Sequence, residues 1–346
     1  IGAFQTNTKL TLFALPILLL LFIKGLESNR YKLYYASGIA AVITLIGSAF
    51  VNIAVVSVIP IVLLAYLLYF IATNRKNALS AITFTLSAIA IWLLVNIYWL
   101  VPYAQNMLAF NSSSGSSVFS FEQTNTGQFV NFWRFLGSWG WKETHNFIQY
   151  FPFADNYDRF PLIFLSYMPI CIAILATAIY RKNKYVAFFS FLSILGIFLA
   201  KGATPPLGSW YKFTYEHYKF LWIFREPWAK FTPIYLFSIS ILFGLGASSL
   251  IYRINQKKLR KPYSFLLILF CTLLVAYPLI TGEVIWQRNT GLMRSNYTQI
   301  PNYWDDVNEY LKTNTQQGDR VLLLPPTGYA VGYNWQNGFF AGDTPA

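Results

Sequence analysis

Eight apolar segments, at roughly 10–23, 34–49, 54–72, 79–101, 161–180, 185–200, 231–252 and 263–280, punctuate this sequence. Most approach the ~20 residues that a helix needs to cross ~30 Å of hydrocarbon. The first and sixth are short, which fits spans with little tilt, a locally thinned bilayer or half-spans. The runs lack strict alternation and are too long for strands. One fold class follows: an all-α polytopic membrane protein, in which each span satisfies its own backbone hydrogen bonds. Composition agrees, with 55% hydrophobic and only 11% charged residues against ~25% charged in soluble domains. That shortfall excludes a disordered chain and argues against a soluble enzyme.

Charge then orients the bundle. Lys24, Arg30 and Lys32, then Arg75 and Lys76, then Arg181, Lys182 and Lys184, then Arg253, Lys257, Lys258, Arg260 and Lys261 fall in one set of short connections. This set holds 13 basic residues against one acid, Glu27, whereas the other set holds 13 basic residues and 12 acids. The two sets alternate after every expected span. By the positive-inside rule the basic set is cytoplasmic. Both termini and every long connection, 102–160, 201–230 and 281–346, are then expected outside. The net charge of +13 is a topology signal with some attraction to anionic lipid heads, not a nucleic-acid footprint, since the cations sit in short loops with no reading module. Few ionisable residues lie within the spans, which weakens an ion-pump reading.

The first long loop begins after Trp99 and Pro102. Asn111–Ser117 is Ser-rich and reads as flexible. In Gln128–Leu136, Phe129, Phe132, Trp133 and Leu136 share one helical face and Gln128, Asn131 and Arg134 the other, the pattern of an interfacial helix. Trp139 and Trp141 follow in a Gly-rich turn, where they read either as a sugar-stacking platform or as an aromatic belt. Glu143, His145, Asp155 and Asp158 read either as a divalent-cation or acid/base group or as solvated loop charges, and no familiar ligand spacing decides for a metal.

In the second long loop Trp210, Phe213, His217, Phe220, Leu221 and Phe224 repeat at helical spacing, with Lys212, Glu216 and Lys219 on a different face. This predicts a second amphipathic helix on the outer surface. Pro227 disfavours helical geometry at Glu226 and suits the first turn of a new helix, so the chain should break at Arg225-Glu226. The unpaired N–H groups of that helix start, flanked by Arg225 and Lys230, form a phosphate site at head-group depth. The alternative is a Glu226–Lys230 ion pair. His217 reads either as a packed histidine or, with Glu226, as a positioning residue; Trp210 joins Trp139 and Trp141 as a sugar-stacking candidate.

After the last span the sequence changes character. Trp304, Val307, Tyr310 and Leu311 mark a helix over Tyr303–Thr313, Arg320–Pro325 reads as a buried strand, and Gly328, Gly332, Gly338 and Gly342 follow. This predicts the start of an external α/β domain at 281–346, beyond a transmembrane domain at 1–280. Asp305 and Asp306 read either as a catalytic acid pair or as the acids that the dipole favours at a helix N-terminus. Cys171 and Cys271 lie in apolar stretches and imply no disulfide framework. The opening at Ile1 and the Gly-rich ending lead us to expect further sequence on both sides; no signal peptide is legible.

Phe-Arg-Glu-Pro-Trp-Ala-Lys-Phe at 224–231 ahead of a span, Ile300-Pro301-Asn302-Tyr303-Trp304 leading a helix, and Val321-Leu322-Leu323-Leu324-Pro325 before Tyr333-Asn334-Trp335 together resemble the membrane arabinofuranosyltransferases of the AftD type. These are glycosyltransferases of the GT-C fold. The resemblance covers the second half of the chain; the first half matches in hydropathy only. It implies transfer of a sugar, arabinofuranose in that family, from a polyprenyl-phosphate donor to a glycan or glycoconjugate acceptor at the outer face of a prokaryotic plasma membrane, within the cell envelope. In that fold the catalytic carboxylate follows the first span, and no residue of this sequence matches it, so the expected base lies N-terminal to Ile1. A transporter or flippase for a lipid-linked glycan, and a non-catalytic membrane-anchored glycan-binding subunit, are the competing expectations. A divalent cation stays open; nucleic acid is not an expected partner.

Overall fold

The structure, a computed structural model, describes residues 6–113, 129–138, 141, 144–145, 148–149, 152–224, 226–254, 256–281, 301–316, 319, 331–335 and 338–342. Helices cover all eight apolar segments. They are α1 (Thr6–Glu27), α2 (Lys32–Leu45), α3 (Ile53–Val56), α4 (Val58–Thr73), α5 (Ala78–Ser113), α7 (Leu162–Ile179), α8 (Lys184–Ala200), α10 (Pro227–Tyr252) and α11 (Lys257–Ile280), with α6 (Phe129–Phe132), α9 (Gly208–His217) and α12 (Tyr303–Asn314) outside the segments. Five stretches among the described residues are long and apolar enough to cross a bilayer: Leu10–Glu27, Ile53–Thr73, Arg75–Gln105, Leu162–Ile179 and Pro227–Tyr252. The helices α2 and α8 are apolar but shorter. Phe13, Leu45, Leu94 and Tyr98 each leave more than 70% of their surface exposed, a display that suits lipid and not water. The chain is a helical, membrane-embedded protein.

Two compact units divide it. The first comprises residues 1–139 and 167–260 and contains the bundle. The helices α8 and α10 pack along their lengths, α2 lies against α5, and α1 joins α2, α4 and α10. Tyr66, Tyr235, Phe22, Phe188, Leu15, Leu18 and Leu192 are fully buried between them. Gly196 of α8 sits so close to α10 that a Cβ there would come within 2.6 Å of the Tyr235 backbone nitrogen. Small residues at such crossings let helices approach where no hydrophobic force drives them together.

The basic connections meet at one end of this unit. Lys184 at the start of α8 pairs with Glu27 at the end of α1 at 2.8 Å. Tyr185 Oη also donates to Glu27 at 3.2 Å, and Tyr69 near the end of α4 donates to the Lys184 carbonyl at 2.9 Å. Lys32 of α2 donates to Ser80 of α5. Three of the four basic connections are thereby joined. The exposed pair itself contributes ~0–1 kcal/mol; its value here is as a marker of which helix ends are neighbours. Because Gly196, in the second half of α8, meets Tyr235, in the first half of α10, these helices run antiparallel, and the start of α10 lies at the opposite end.

Three local expectations are corrected. The Ser-rich stretch does not begin as a flexible loop: α5 continues through Pro102 to Ser113, so Asn111–Ser113 are helical and 114–117 lie outside the described residues. Among the described residues of the segment expected to be helical over Gln128–Leu136, only Phe129–Phe132 are helical. The chain then turns, with Phe135 left-handed at φ 63° and Leu136 N–H donating to the Asn131 carbonyl at 2.9 Å. The helix from Trp210 to Phe224 breaks at Tyr218, leaving α9 and a separate 3-10 turn, Lys219–Phe224.

The second unit comprises residues 140–166 and 261–346. Trp141 packs edge-on to Phe153 and Tyr157 with ring centroids 5.7 and 5.6 Å apart. Tyr157, in the 3-10 helix Pro152–Asp158, donates to the Leu274 carbonyl of α11 at 3.1 Å and meets Tyr277 edge-on. Burial pushes the Tyr157 hydroxyl up to about 12. The helix α12 matches its prediction, with Asp305 and Asp306 in its first turn and Lys312 in its last, as the dipole favours. Two antiparallel hairpins join β1 (Thr144–His145) to β2 (Ile148–Gln149) and β3 (Val331–Trp335) to β4 (Gly338–Gly342), the latter in the register Val331 to Gly342 and Trp335 to Gly338. The strand expected at 320–325 lies outside the described residues.

Candidate functional site at the start of the tenth helix

Pro227 occupies the first position of α10 and Glu226 the cap, as the sequence predicts. Glu226 takes a left-handed conformation, φ 60° and ψ 59°, and its side chain makes no capping hydrogen bond. Left-handed geometry on a non-glycine residue is uncommon, and proline at the next position already bars the right-handed helical region. The first N–H groups of the helix thus follow an abrupt break. Lys230 sits one turn further, half-buried, its N–H directed to the Glu226 carbonyl at 3.3 Å. Arg225 lies outside the described residues.

Aromatic rings surround this helix start. Phe224, just before the break, stacks on Phe231 at 5.1 Å, and its carbonyl accepts from Tyr211 of α9 at 2.8 Å. Burial, and secondarily Tyr215, raises the Tyr211 hydroxyl above the usual tyrosine range, so it remains a donor. Phe132 stacks on Trp228 at 5.3 Å, Phe135 meets the Tyr235 ring at 4.8 Å, and Tyr235 Oη donates to the Trp133 carbonyl at 3.1 Å. Gly137 closes the contact. A Cβ at this position would lie 2.2 Å from Phe132 and 2.5 Å from Trp228, so only glycine fits over the stacked pair. The first long loop is therefore docked against α10, not laid on the surface.

That docking explains where Asn131 and Arg134 are found. The sequence pattern places them on a polar outer face; both are 5% exposed. Arg134 Nη1 donates to Asn131 Oδ1 at 3.1 Å, and the guanidinium lies 5.3 Å from the centre of the Tyr167 ring. Burying a guanidinium requires such partners. Lys201 is the second enclosed cation, 3% exposed, in the turn between α8 and α9. Its ammonium donates to the Thr204 carbonyl at 2.9 Å and lies over Phe198. Burial lowers its proton affinity below the usual lysine range. Helical periodicity gives no sign of either cation's burial.

The remaining candidates differ in their surroundings. On α9, Tyr215 is buried while Trp210 and Phe213 are 72% and 55% exposed. Lys212 and Glu216 pair across one turn at 3.8 Å, as their spacing predicts. His217 is exposed; its Nδ1 is 2.8 Å from the Phe213 carbonyl and its ring lies 4.0 Å from the Phe213 ring. Trp210, Phe213 and His217 thus line the outward side of a short amphipathic helix. Trp141 belongs to the second unit's aromatic cluster, and Trp139 and Glu143 lie outside the described residues, as does the His145 side chain. Asp155 is half-buried and Asp158 exposed. Among the described residues, no group of three His, Cys, Asp or Glu is arranged to hold a metal ion.

No protein family, curated protein or solved structure matches this chain.

Proposed function

We propose that this chain is part of a membrane glycosyltransferase that takes a sugar from a polyprenyl-phosphate donor and passes it to a glycan acceptor at the outer face of a prokaryotic plasma membrane. The observation that carries the reading is the start of α10: a proline-led helix N-terminus after a left-handed break, with Lys230 in its first turn and an aromatic collar of Phe132, Trp228, Phe224 and Phe231. Helix N-termini favour anions. Arg225, Lys230 and the first amides of α10 receive the departing lipid phosphate, whose charge they stabilise. The amphipathic α9 lies in the interface beside them. The resemblance of 224–231 and 300–304 to the AftD-type enzymes adds the sugar chemistry.

The wider architecture of this reading has eight spans, with α2, α8 and α11 completing the five longer ones. The joined basic connections face the cytoplasm, both chain ends face outward, and 281–346 begins an extracytoplasmic α/β domain. No general base is assigned to a residue of this chain.

The test uses the protein in membranes with a radiolabelled polyprenyl-phosphate sugar. Arg225→Ala should lower glycosidic product by ~10²-fold, the scale of losing one charge-stabilising donor, while Lys212→Ala, on the exposed side of α9, leaves it unchanged. Equal turnover in Arg225→Ala and the parent overturns the assignment. Movement of labelled lipid across the vesicle with no new glycosidic bond replaces it with a flippase.

A further inference from the structure

Three of the basic connections meet at the end of the first unit opposite the start of α10. Residues 24–32, 73–80 and 180–185 carry eight Lys and Arg against a single acid, Glu27. That acid is already engaged. Its carboxylate holds the Lys184 ammonium at 2.8 Å and accepts from Tyr185 Oη at 3.2 Å. Lys32 donates to Ser80. What remains is Lys24, Arg30, Arg75, Lys76, Arg181 and Lys182, all exposed. None of these six forms an ion pair with a described residue.

The bundle gathers these cations. Tyr69, near the end of α4, donates to the Lys184 carbonyl at 2.9 Å, and the Tyr66 and Tyr69 rings meet Phe188 of α8 at 4.9 and 5.6 Å. That packing brings the end of α4, and the Arg75-Lys76 turn that follows it, to the start of α8, which Arg181 and Lys182 precede. The Glu27–Lys184 pair brings the end of α1 to the same place, and with it Lys24 and Arg30. Clustered like charges repel one another and work against the compact state. An anion from outside the chain relieves that repulsion.

The neighbours of the cations identify the source of that anion. Leu33 and Tyr34, in the first turn of α2, are 69% and 72% exposed, and Leu79, at the start of α5, is 76% exposed. Tyr31 is also exposed, with the Arg30 guanidinium 5.4 Å from the centre of its ring. Exposed tyrosines beside Lys and Arg at helix ends mark a membrane–water interface. Long cationic side chains there lay their stems on apolar surface and hold their charges at head-group depth. A soluble polyanion meets the charges alone. A phospholipid meets both features, its phosphate on the cations and its acyl chains along α2 and α5.

We infer that this basic end binds the phosphate groups of anionic phospholipids, with Arg75, Lys76, Arg181 and Lys182 as the principal contacts. Glu27 does not compete for them, because Lys184 and Tyr185 hold its carboxylate. The surface is separate from the phosphate grip proposed at α10 and does not depend on it. It holds whichever side of the membrane this end faces.

The experiment is native mass spectrometry of the detergent-solubilised protein, titrated with phosphatidylglycerol or with phosphatidylcholine of the same acyl chains. The parent should bind phosphatidylglycerol more tightly. The double variant Arg181→Gln, Lys182→Gln should weaken phosphatidylglycerol binding by about 25-fold, about fivefold for each cation removed, and leave phosphatidylcholine binding unchanged. Lys212→Gln, on α9 and paired with Glu216, should change neither. All three substitutions replace exposed side chains, and unchanged elution from a size-exclusion column confirms that the variants fold. Polyphosphate is the soluble source of the same phosphate chemistry and should fail to displace the lipid at equal phosphate concentration. Equal affinity for the two lipids, equal phosphatidylglycerol affinity in the double variant and the parent, or displacement by polyphosphate overturns the proposal.

Discussion

Replacing Gly196 by alanine tests the packing on which the α8–α10 pair rests. The added Cβ would stand 2.6 Å from the Tyr235 nitrogen and 2.9 Å from its Cα. Ordinary contact between such atoms is ~3.5–4.0 Å, so roughly 1 Å must be found. Backbone cannot rotate away as a side chain would, and the two helices must part along a face that includes Phe189 edge-on to Phe237. Overpacking of this kind costs about 1–3 kcal/mol. Alanine in a helix interior also returns ~0.8–1.0 kcal/mol over glycine, which would blur a single measurement. Gly244, in the partner helix α10, supplies the correction, since nothing lies within 4 Å of a Cβ built there. The propensity gain is common to both variants and cancels between them. Gly196→Ala should therefore melt below Gly244→Ala by several degrees, at ~2–4 °C per kcal/mol, in a thermal assay of the solubilised protein at one scan rate, because membrane proteins seldom unfold reversibly. Equal midpoints would show that the helices are not in this contact.

Asn96, 1% exposed, donates to Thr44 Oγ1 of α2 at 2.8 Å and accepts from Trp99. Asn96→Leu should destabilise by about 1–3 kcal/mol, since Trp99 loses its acceptor; a parental melting midpoint refutes this. Gly137→Ala should lower both the midpoint and sugar transfer, because its Cβ intrudes on the stacked Phe132–Trp228 pair; transfer at the parental rate would show that the loop need not rest on α10. For Lys201 the sign is set by burial, which holds its folded value below the ordinary 10.5. The unfolded chain then binds the extra proton between those two values, so this group adds stability as pH rises through that window. Lys201→Met lacks the term, and its stability relative to the parent should fall across the same alkaline range. A flat difference refutes it.

The apolar helices, five of them long enough to cross a bilayer, were legible because hydrophobic length is dictated by the solvent. Few alternatives exist for an apolar run of 18 or more residues, and three of the short basic connections are joined by the contacts of Lys184 with Glu27 and Tyr69 and of Lys32 with Ser80. The break at Glu226 was legible for a related reason, since Pro227 constrains the backbone locally whatever surrounds it. The loops were less so. Periodicity over 128–136 marked Phe129, Phe132, Trp133 and Leu136 as one face, but it carries no information about a left-handed Phe135 or about which side meets protein. Once Phe132 stacks on Trp228, the supposedly polar face turns inward and Asn131 and Arg134 are enclosed together. The same limit hid the end of α2, which stops short at Leu45 within a run that remains apolar to Ala49.

These departures share a physical origin. In a bilayer the hydrophobic effect fixes that a segment enters, but contributes little to where it stops or what it touches, because lipid tails and apolar side chains are equivalent neighbours. The remaining choices fall to backbone strain, close glycine contacts and hydrogen bonds. Gly137 and Gly196 permit approach, Phe135 and Glu226 carry left-handed turns, and Tyr211, Tyr235 and Asn96 each donate to an acceptor on another element. At the start of α10 these devices converge: Tyr211 holds the carbonyl before the break, Tyr235 holds the first loop, and the glycine lets rings close over Trp228. Several independent restraints on one helix start mean that its amides are fixed before any ligand arrives. Preorganised amides are what an anion site requires, because donors already in place need not reorganise when charge develops.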